Sequence, residues 1–323
     1  MNAPVPLELC LCPLGCTTSD TTLFVARDLI QHLPGEFPLV RCDRCGLMRT
    51  NPRPTAESMH FYYPENYGPY LGTRVTGPGE RGNQPSALGV ARLAIKGWLT
   101  RHVDFRTQSI PDMPPGRMLE VGCASGAYLH KMAARGWIVE GIEFAASAAD
   151  RASRLGFKVH SGSIESAPDP LHEYDLVVAW MVLEHLHDPL GSLTKLARWA
   201  KPEAALAVSL PDAGCMGFRL FGARWHALHI PNHLFHFTVR TASLMLETAG
   251  WRVVAISHHR TLANYFCSLS HVLQDYGFHR LAGLLSAYSA YKSGILEYVF
   301  FPLAWVLAVL GQSGQMTIWA RKA

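Results

Sequence analysis

The segment Arg117-Met-Leu-Glu-Val-Gly-Cys-Ala-Ser-Gly126 constrains this chain more than any other. An apolar run of strand length passes directly into a turn of small residues, and a helical pattern opens at the end of that turn. In α/β proteins such a junction sits at the carboxyl end of a parallel strand, where the first N–H groups of the helix lack an intrahelical partner and can meet a ligand. Gly122 and Gly126 let the main chain turn sharply and approach that ligand closely. The next expected strand, Trp137-Ile-Val-Glu-Gly-Ile-Glu143, ends in a carboxylate at the spacing that grips both hydroxyls of an adenosine ribose.

The elements around the turn alternate. Strands are expected near residues 117–122, 138–143, 157–161, 174–180 and 204–210, with helices near 126–135, 145–155 and 190–200, which demands a parallel sheet covered on both faces. A helix from Thr241 to Ala249, a strand from Trp251 to Ser257 and a closing strand from Gln315 to Ala320 complete a doubly wound, Rossmann-like α/β sheet of seven strands. Almost 60 residues separate the last two strands where the basic fold needs only a hairpin. A structureless loop of that length is unusual, so residues 259–312 are expected to form a helical cap. Within it, Tyr298 to Leu310 is uncharged but too short, with Pro302 inside, to span a bilayer. A buried lid helix is the default reading; a dimer face and a peripheral membrane contact through 298–310 are the others.

The chemistry of the turn selects among nucleotide ligands. Ala124 stands where a dinucleotide site has its middle glycine, and the Glu120 carboxylate stands at the mouth, where it repels a pyrophosphate and attracts a cation. S-adenosyl-L-methionine, with an ammonium, a sulfonium and no phosphate, suits these residues. Here the chain resembles the class I S-adenosylmethionine-dependent methyltransferases, whose first motif is usually of the form LEVGCGSG. Tyr174-Asp-Leu-Val-Val-Ala-Trp-Met-Val-Leu-Glu-His-Leu-His-Asp-Pro189 resembles the family's fourth strand and its Leu-Glu-His segment. Phe221-Gly-Ala-Arg-Trp225 and Pro231-Asn-His-Leu-Phe-His-Phe-Thr238 are similar to a subgroup in which a loop after the fifth strand covers the acceptor pocket and a cysteine-rich module precedes the transferase. The likeness covers nearly the whole chain.

That resemblance implies a set of site residues. Glu120, Gly122, Cys123 and Gly126 would surround the methionine part of the cofactor, Glu143 the ribose, and Phe144 the face of the adenine. Ser163 with Ile164 would meet the adenine amino group, where many members have Asp. The acceptor lies outside the carboxyl ends of the strands, near Trp180, Met181, Glu184 and His185, and Trp180 is also assigned to the cofactor. His233, which matches the subgroup's Pro-x-His, is the first candidate for base or acceptor contact. His185 is the second, equally read as a residue that hydrogen-bonds its loop and fixes Glu184. His226, His229 and His236 accompany His233 on the cover loop, but no carboxylate or cysteine is seen to complete a metal-ligand set with them.

Five of the eight cysteines fall within the first 45 residues. Cys12-Pro-Leu-Gly-Cys16 and Cys42-Asp-Arg-Cys45 are separated by 25 residues that can form a hairpin, a spacing that suggests tetrahedral Zn2+. Cys10 is an alternative to Cys12 or Cys16. Four thiolates close the coordination sphere, so the Zn2+ is read as structural. Residues 1–71 are read as a zinc-ribbon-like module and connecting segment, 72–86 as a linker rich in glycine and proline, and 87–323 as the methyltransferase domain. Tyr63 and Tyr67 are read first as packing between module and domain and second as reaching the acceptor.

Composition sets outer bounds. With 49% hydrophobic residues the chain can bury a large core, and a net charge of +4 without a run of lysine or arginine gives no nucleic-acid footprint. No basic start followed by an apolar run opens the sequence, so a cytoplasmic location with reduced thiols is expected. The functional expectation is methyl transfer to a small-molecule, sugar-like or carrier/lipid-linked acceptor. An O-methyltransferase of a quinone or phenol precursor is the alternative within enzymes. An inactive zinc-ribbon scaffold is the alternative of another class, and the intact turn and Glu143 argue against it. The sequence names neither the acceptor, nor the atom methylated, nor the oligomeric state.

Overall fold

The computed structural model describes residues 5–17, 19–63, 111–290 and 295–323. Tyr67, the expected linker and the first residues of the expected methyltransferase domain lie outside the described residues.

At the N-terminal end, β1 (Leu7–Glu8) precedes an antiparallel group of β2 (Asp20–Ala26), β3 (Phe37–Cys42) and β4 (Met48–Thr50), and β5 (Arg53–Pro54) returns to pair with β1. The main sheet begins with β6 (Arg117–Val121), then α1 (Ala127–Ala133), β7 (Ile138–Glu143), α2 (Ala146–Arg154), β8 (Lys158–Ser161), β9 (Tyr174–Trp180), α3 (Pro189–Trp199) and β10 (Ala200–Pro211). After α4 (Met216–Phe221), the short strand β11 (Phe235–His236) leaves the main sheet and joins the N-terminal one, with Phe235 opposite Arg49 and His236 opposite Met48. Then come α5 (Val239–Thr248), β12 (Trp251–His258), the helices α6 (Ala263–Asp275), α7 (His279–Ala290) and α8 (Ile295–Val309), and β13 (Gln315–Lys322).

The main sheet runs β12-β13-β10-β9-β6-β7-β8. Strands β8, β7, β6, β9 and β10 are parallel, and β13 is inserted antiparallel between β10 and β12. The seven-stranded α/β fold expected from the sequence is the one observed. Its centre follows from composition: Leu176, Val177 and Val178 of β9 are all fully buried, as an apolar run must be in a strand covered on both faces. Each such side chain contributes about 1.5–3 kcal/mol of burial. The helices start where their sequences dictate. Asp188 accepts from the Gly191 N–H ahead of Pro189 in α3, and Thr238 and Thr241 cap α5 reciprocally.

The long connection between β12 and β13 is helical, as expected. Its apolar segment is not a buried lid, which corrects the default expectation. From Tyr298 onward, only Ala304 and Ala308 of the described side chains of α8 are buried, while Val299 is 62% and Val309 65% exposed. The alanines pack closely, Phe300 meets the ring of Phe266 at 5.1 Å, and Val299, Leu303, Trp305, Val306 and Val309 face away. No helix of the described residues is long and apolar enough to cross a membrane.

Candidate functional site

The turn between β6 and α1 is shaped by three left-handed residues. Gly122 has φ +71°, and a Cβ there would lie 2.5 Å from Val182 Cγ2; Gly126 has φ +82° at the start of α1. Ala124 adopts φ +45°, a conformation that costs an alanine about 1–2 kcal/mol. Its N–H donates to Glu143 Oε2 at 2.8 Å, a charge-assisted bond of about 1.5–3 kcal/mol that offsets the strain. The other oxygen of Glu143 accepts from the Ala145 N–H at 2.8 Å. One carboxylate thereby braces both the turn and the entry to α2.

Glu120 is buried on β6, and burial first, then the charge of Glu143, pushes its carboxyl well above the ordinary range. Its Oε2 has no hydrogen-bond partner among the described residues, and neither has Trp180 Nε1 at the end of β9. Val178 pairs with Glu120, and Trp180 stands two residues further on the same face. A lone buried acceptor and a lone buried donor side by side at the carboxyl ends of central strands fit a bound group better than they fit a closed core. Around them, Cys123 is buried with its Sγ against Gly141, and Phe144 is exposed. Ser163 Oγ accepts from the Ser166 N–H, whereas the Ile164 side chain belongs to the core.

Beyond β9, the short turn Leu183–His185 meets the loop that carries β11. Glu184 is fully buried there, and neither of its carboxylate oxygens is hydrogen-bonded by another described residue. His185 Nδ1 lies 2.9 Å from the Asn232 carbonyl oxygen and 2.8 Å from Tyr63 Oη. His233 Nδ1 lies 2.9 Å from the Ala227 carbonyl oxygen, and its Nε2 is 4.0 Å from Glu184 Oε1. The rings of His185 and His233 pack edge to face at 4.6 Å, and those of His229 and His233 at 4.9 Å. Burial holds His185 at about 4 and pushes His236 down to about 3. Burial, with the neighbouring imidazoles as the second cause, lowers His229 to about 3 and holds His233 well below its usual range. Burial also raises Glu184 to about 8.

The cover-loop histidines therefore divide. His229 and His233 join His185, His226 turns to His271 at 3.1 Å, and His236 Nε2 faces Thr50 Oγ1 at 3.5 Å. The carboxylate that the sequence did not supply to this group is Glu184, delivered from the other side of the site. Tyr63 does more than pack, since its hydroxyl reaches His185. The loop is pinned to the N-terminal sheet, where Thr50 Oγ1 donates to the His233 carbonyl at 3.0 Å and the Thr50 N–H to that of Leu234 at 3.0 Å.

A family model described as a methyltransferase domain matches residues 98–256. The chain is also 27% identical over 180 residues to a ubiquinone biosynthesis O-methyltransferase of Xanthomonas campestris pv. campestris, a match covering 47% of this chain and 75% of that one. A relative of the same name from Aeromonas salmonicida is 27% identical over 168 residues, 46% of this chain and 69% of the relative. Among solved structures, an S-adenosylmethionine-dependent methyltransferase from Mesorhizobium loti aligns at a TM-score of 0.42 and 14% identity, over 66% of this chain and 93% of that one. Residues 98–256 of the chain carry a class I, S-adenosylmethionine-dependent methyltransferase domain.

The methyltransferase carries a second cluster in its N-terminal sheet. Ligand atoms of Cys12, Cys16, Cys42 and Cys45 lie within 4.8 Å of one another, with Cys12 Sγ 3.6 Å from Cys45 Sγ. Cys10 is outside the set, its Sγ directed to the Leu11 carbonyl. The Leu47 N–H points at Cys45 Sγ at 3.5 Å, as the glycine after the last cysteine allows. Four sulfurs at this spacing match tetrahedral coordination and leave no open position. One feature of the methyltransferase was beyond sequence reasoning: Asn232 donates to the Tyr62 carbonyl at 2.7 Å, next to the Tyr63 that reaches His185 from 122 residues away. The only local signal for Asn232 was the Pro-Asn-His run.

Proposed function

We propose that this methyltransferase methylates a hydroxyl of a small-molecule acceptor, sugar-like or carrier/lipid-linked, with Glu184, His185 and His233 on the acceptor side. The observation that carries this reading is the buried cluster of those three residues beyond the end of β9, next to the turn that suits the cofactor. Glu120 would face the positive methionine end of S-adenosyl-L-methionine beside Gly122, Cys123 and Gly126, while Glu143 would hold the ribose and Phe144 and Ser163 border the adenine. Bound there, the cofactor supplies an electrophilic methyl group on a good leaving group. The chain's own tasks are then alignment, exclusion of water and removal of one proton. Glu184 and the two neutral imidazoles supply the polar lining at which the acceptor hydroxyl gives up that proton. Cys12, Cys16, Cys42 and Cys45 hold a structural Zn2+ that keeps Tyr63 and the β11 loop in register with the site.

A second reading, O-methylation of a quinone or phenol precursor, is favoured by the names of the curated relatives. A lipid-linked acceptor is supported by the exposed apolar side chains of α8, Leu303, Trp305 and Val306 among them, suited to a peripheral membrane contact. The deciding experiment incubates the full chain with methyl-labelled cofactor and two acceptor panels, phenols and catechols in one, sugar nucleotides and lipid-linked sugars in the other. Label in a hydroxyl of either panel supports the reading and chooses between its forms. Failure to bind the cofactor or its demethylated product by calorimetry overturns it in favour of a scaffold.

A further inference from the structure

We infer that Glu184, His185 and His233 form a binding site for a divalent transition-metal ion, separate from the four-cysteine cluster. The inference rests on the reading of these residues as the acceptor side, and it names the agent that acts there.

Three observations converge. Glu184 is fully buried, and no described residue donates to either oxygen or pairs with it as a lysine or arginine. A carboxylate in that position is costly unless a cation or a proton joins it. Each histidine places Nδ1 against a main-chain carbonyl, Asn232 for His185 and Ala227 for His233, both at 2.9 Å. A carbonyl can only accept, so Nδ1 carries the hydrogen in both rings and each Nε2 keeps its lone pair; Tyr63 Oη shares the His185 Nδ1–H. Metal-ligating histidines are oriented by this same second bond. Finally, the three ligand atoms lie within 4.8 Å of one another, with His233 Nε2 4.0 Å from Glu184 Oε1. Three atoms each about 2.1 Å from one ion lie roughly 3.0–3.6 Å apart, so binding requires the widest pair of the group to close by about 1–2 Å, within the reach of side-chain rotation.

The donor set selects the ion. Two imidazoles and one carboxylate suit zinc, manganese or iron(II), whereas magnesium and calcium prefer oxygen alone. Three protein ligands leave coordination positions open, unlike the four-sulfur cluster. An acceptor hydroxyl coordinated there loses its proton to solvent more readily. Its oxygen then supplies the electron pair for the new C–O bond as the methyl–sulfur bond breaks, with that bond's electrons returning to sulfur and no change of metal oxidation state.

The test strips the full-length protein of metal and reloads it with Co2+. An ion on four thiolates shows intense sulfur-to-metal charge-transfer absorption, and an ion on nitrogen and oxygen does not. Total cobalt should exceed what the thiolate bands account for. Glu184→Gln should lose the excess and leave the bands unchanged, and Mn2+ binding followed by electron paramagnetic resonance should weaken by at least about 100-fold. Should Glu184→Gln fail to fold, His185→Asn, at a half-buried position, must show the same losses. Cobalt fully accounted for by the thiolate bands in the wild type overturns the inference, as does unchanged Mn2+ affinity in a folded variant. Methyl transfer at full rate by protein holding metal on the cysteines alone removes the cation and leaves the acceptor reading standing. Binding of the second ion without methylation of any hydroxyl does the reverse.

Discussion

Replacing Glu143 by glutamine isolates the part of the cofactor turn that one charge holds together. The carboxylate accepts at 2.8 Å from Ala124 and at 2.8 Å from Ala145. An amide of the same shape retains one acceptor and turns an NH2 toward the other N–H, so one bond is exchanged for two opposed donors. The loss is about 1–3 kcal/mol for the unsatisfied partner, in a place where Ala124 already holds a strained φ. For a chain of this size that lowers the melting temperature by roughly 2–10 °C. The same substitution removes the charged acceptor for the ribose hydroxyls, at about 1.5–3 kcal/mol for each charge-assisted bond, so the dissociation constant should rise by roughly 10-fold or more. Thermal melts of the free protein and calorimetric titration with S-adenosyl-L-methionine read the two effects separately. A glutamine variant that melts and binds like the wild type would refute both the brace and the ribose assignment.

Four further outcomes are expected. Burial and Glu143 raise the Glu120 carboxyl well above its ordinary range, and a cationic ligand favours the ionised form, so cofactor binding should release a proton in the pH window between the lower, ligand-bound pKa and the raised, free one. Binding enthalpies that do not vary with the ionisation heat of the buffer would contradict this. Tyr63→Phe removes the hydroxyl at 2.8 Å from His185 and should lower kcat by roughly 2–10-fold with the cofactor Kd unchanged; a fall in cofactor affinity instead would move Tyr63 out of the acceptor side. If the four-cysteine cluster holds the proposed Zn2+, Cys45→Ser should lose it and lower kcat more than it lowers cofactor affinity, checked by metal analysis and single-turnover rates. Gly122→Ala meets Val182 and an adverse φ together, for a loss of about 2–5 kcal/mol in denaturant melts.

Much of the fold was legible because its signals are local. The strand, turn and helix at 117–133, the carboxylate ending β7 and the paired cysteines each lie within a few residues of chain. The boundaries of β7 and β9 fall where the apolar runs do, and the closing strand β13 extends only two residues past its expected end. The candidate acceptor side was legible residue by residue but not as a group. Glu184 and His233 were both singled out, yet nothing in their spacing says that they meet, since the contact depends on the path of a loop that leaves one sheet for another. The two residues of β11 are too few to show any periodicity. The face presented by α8 was hidden for a different reason: the uncharged run from Tyr298 reads alike whether its large side chains or its alanines face the protein.

β11 has a consequence for any attempt to treat the cysteine-rich end as an exchangeable part. Expressed alone, that end would carry β4 as a bare edge, with Met48 and Arg49 deprived of the pairing that His236 and Phe235 provide. Swapping it between relatives would therefore require grafting the donor's distant loop as well, and a chimera cut at the chain's obvious seam should stick to itself.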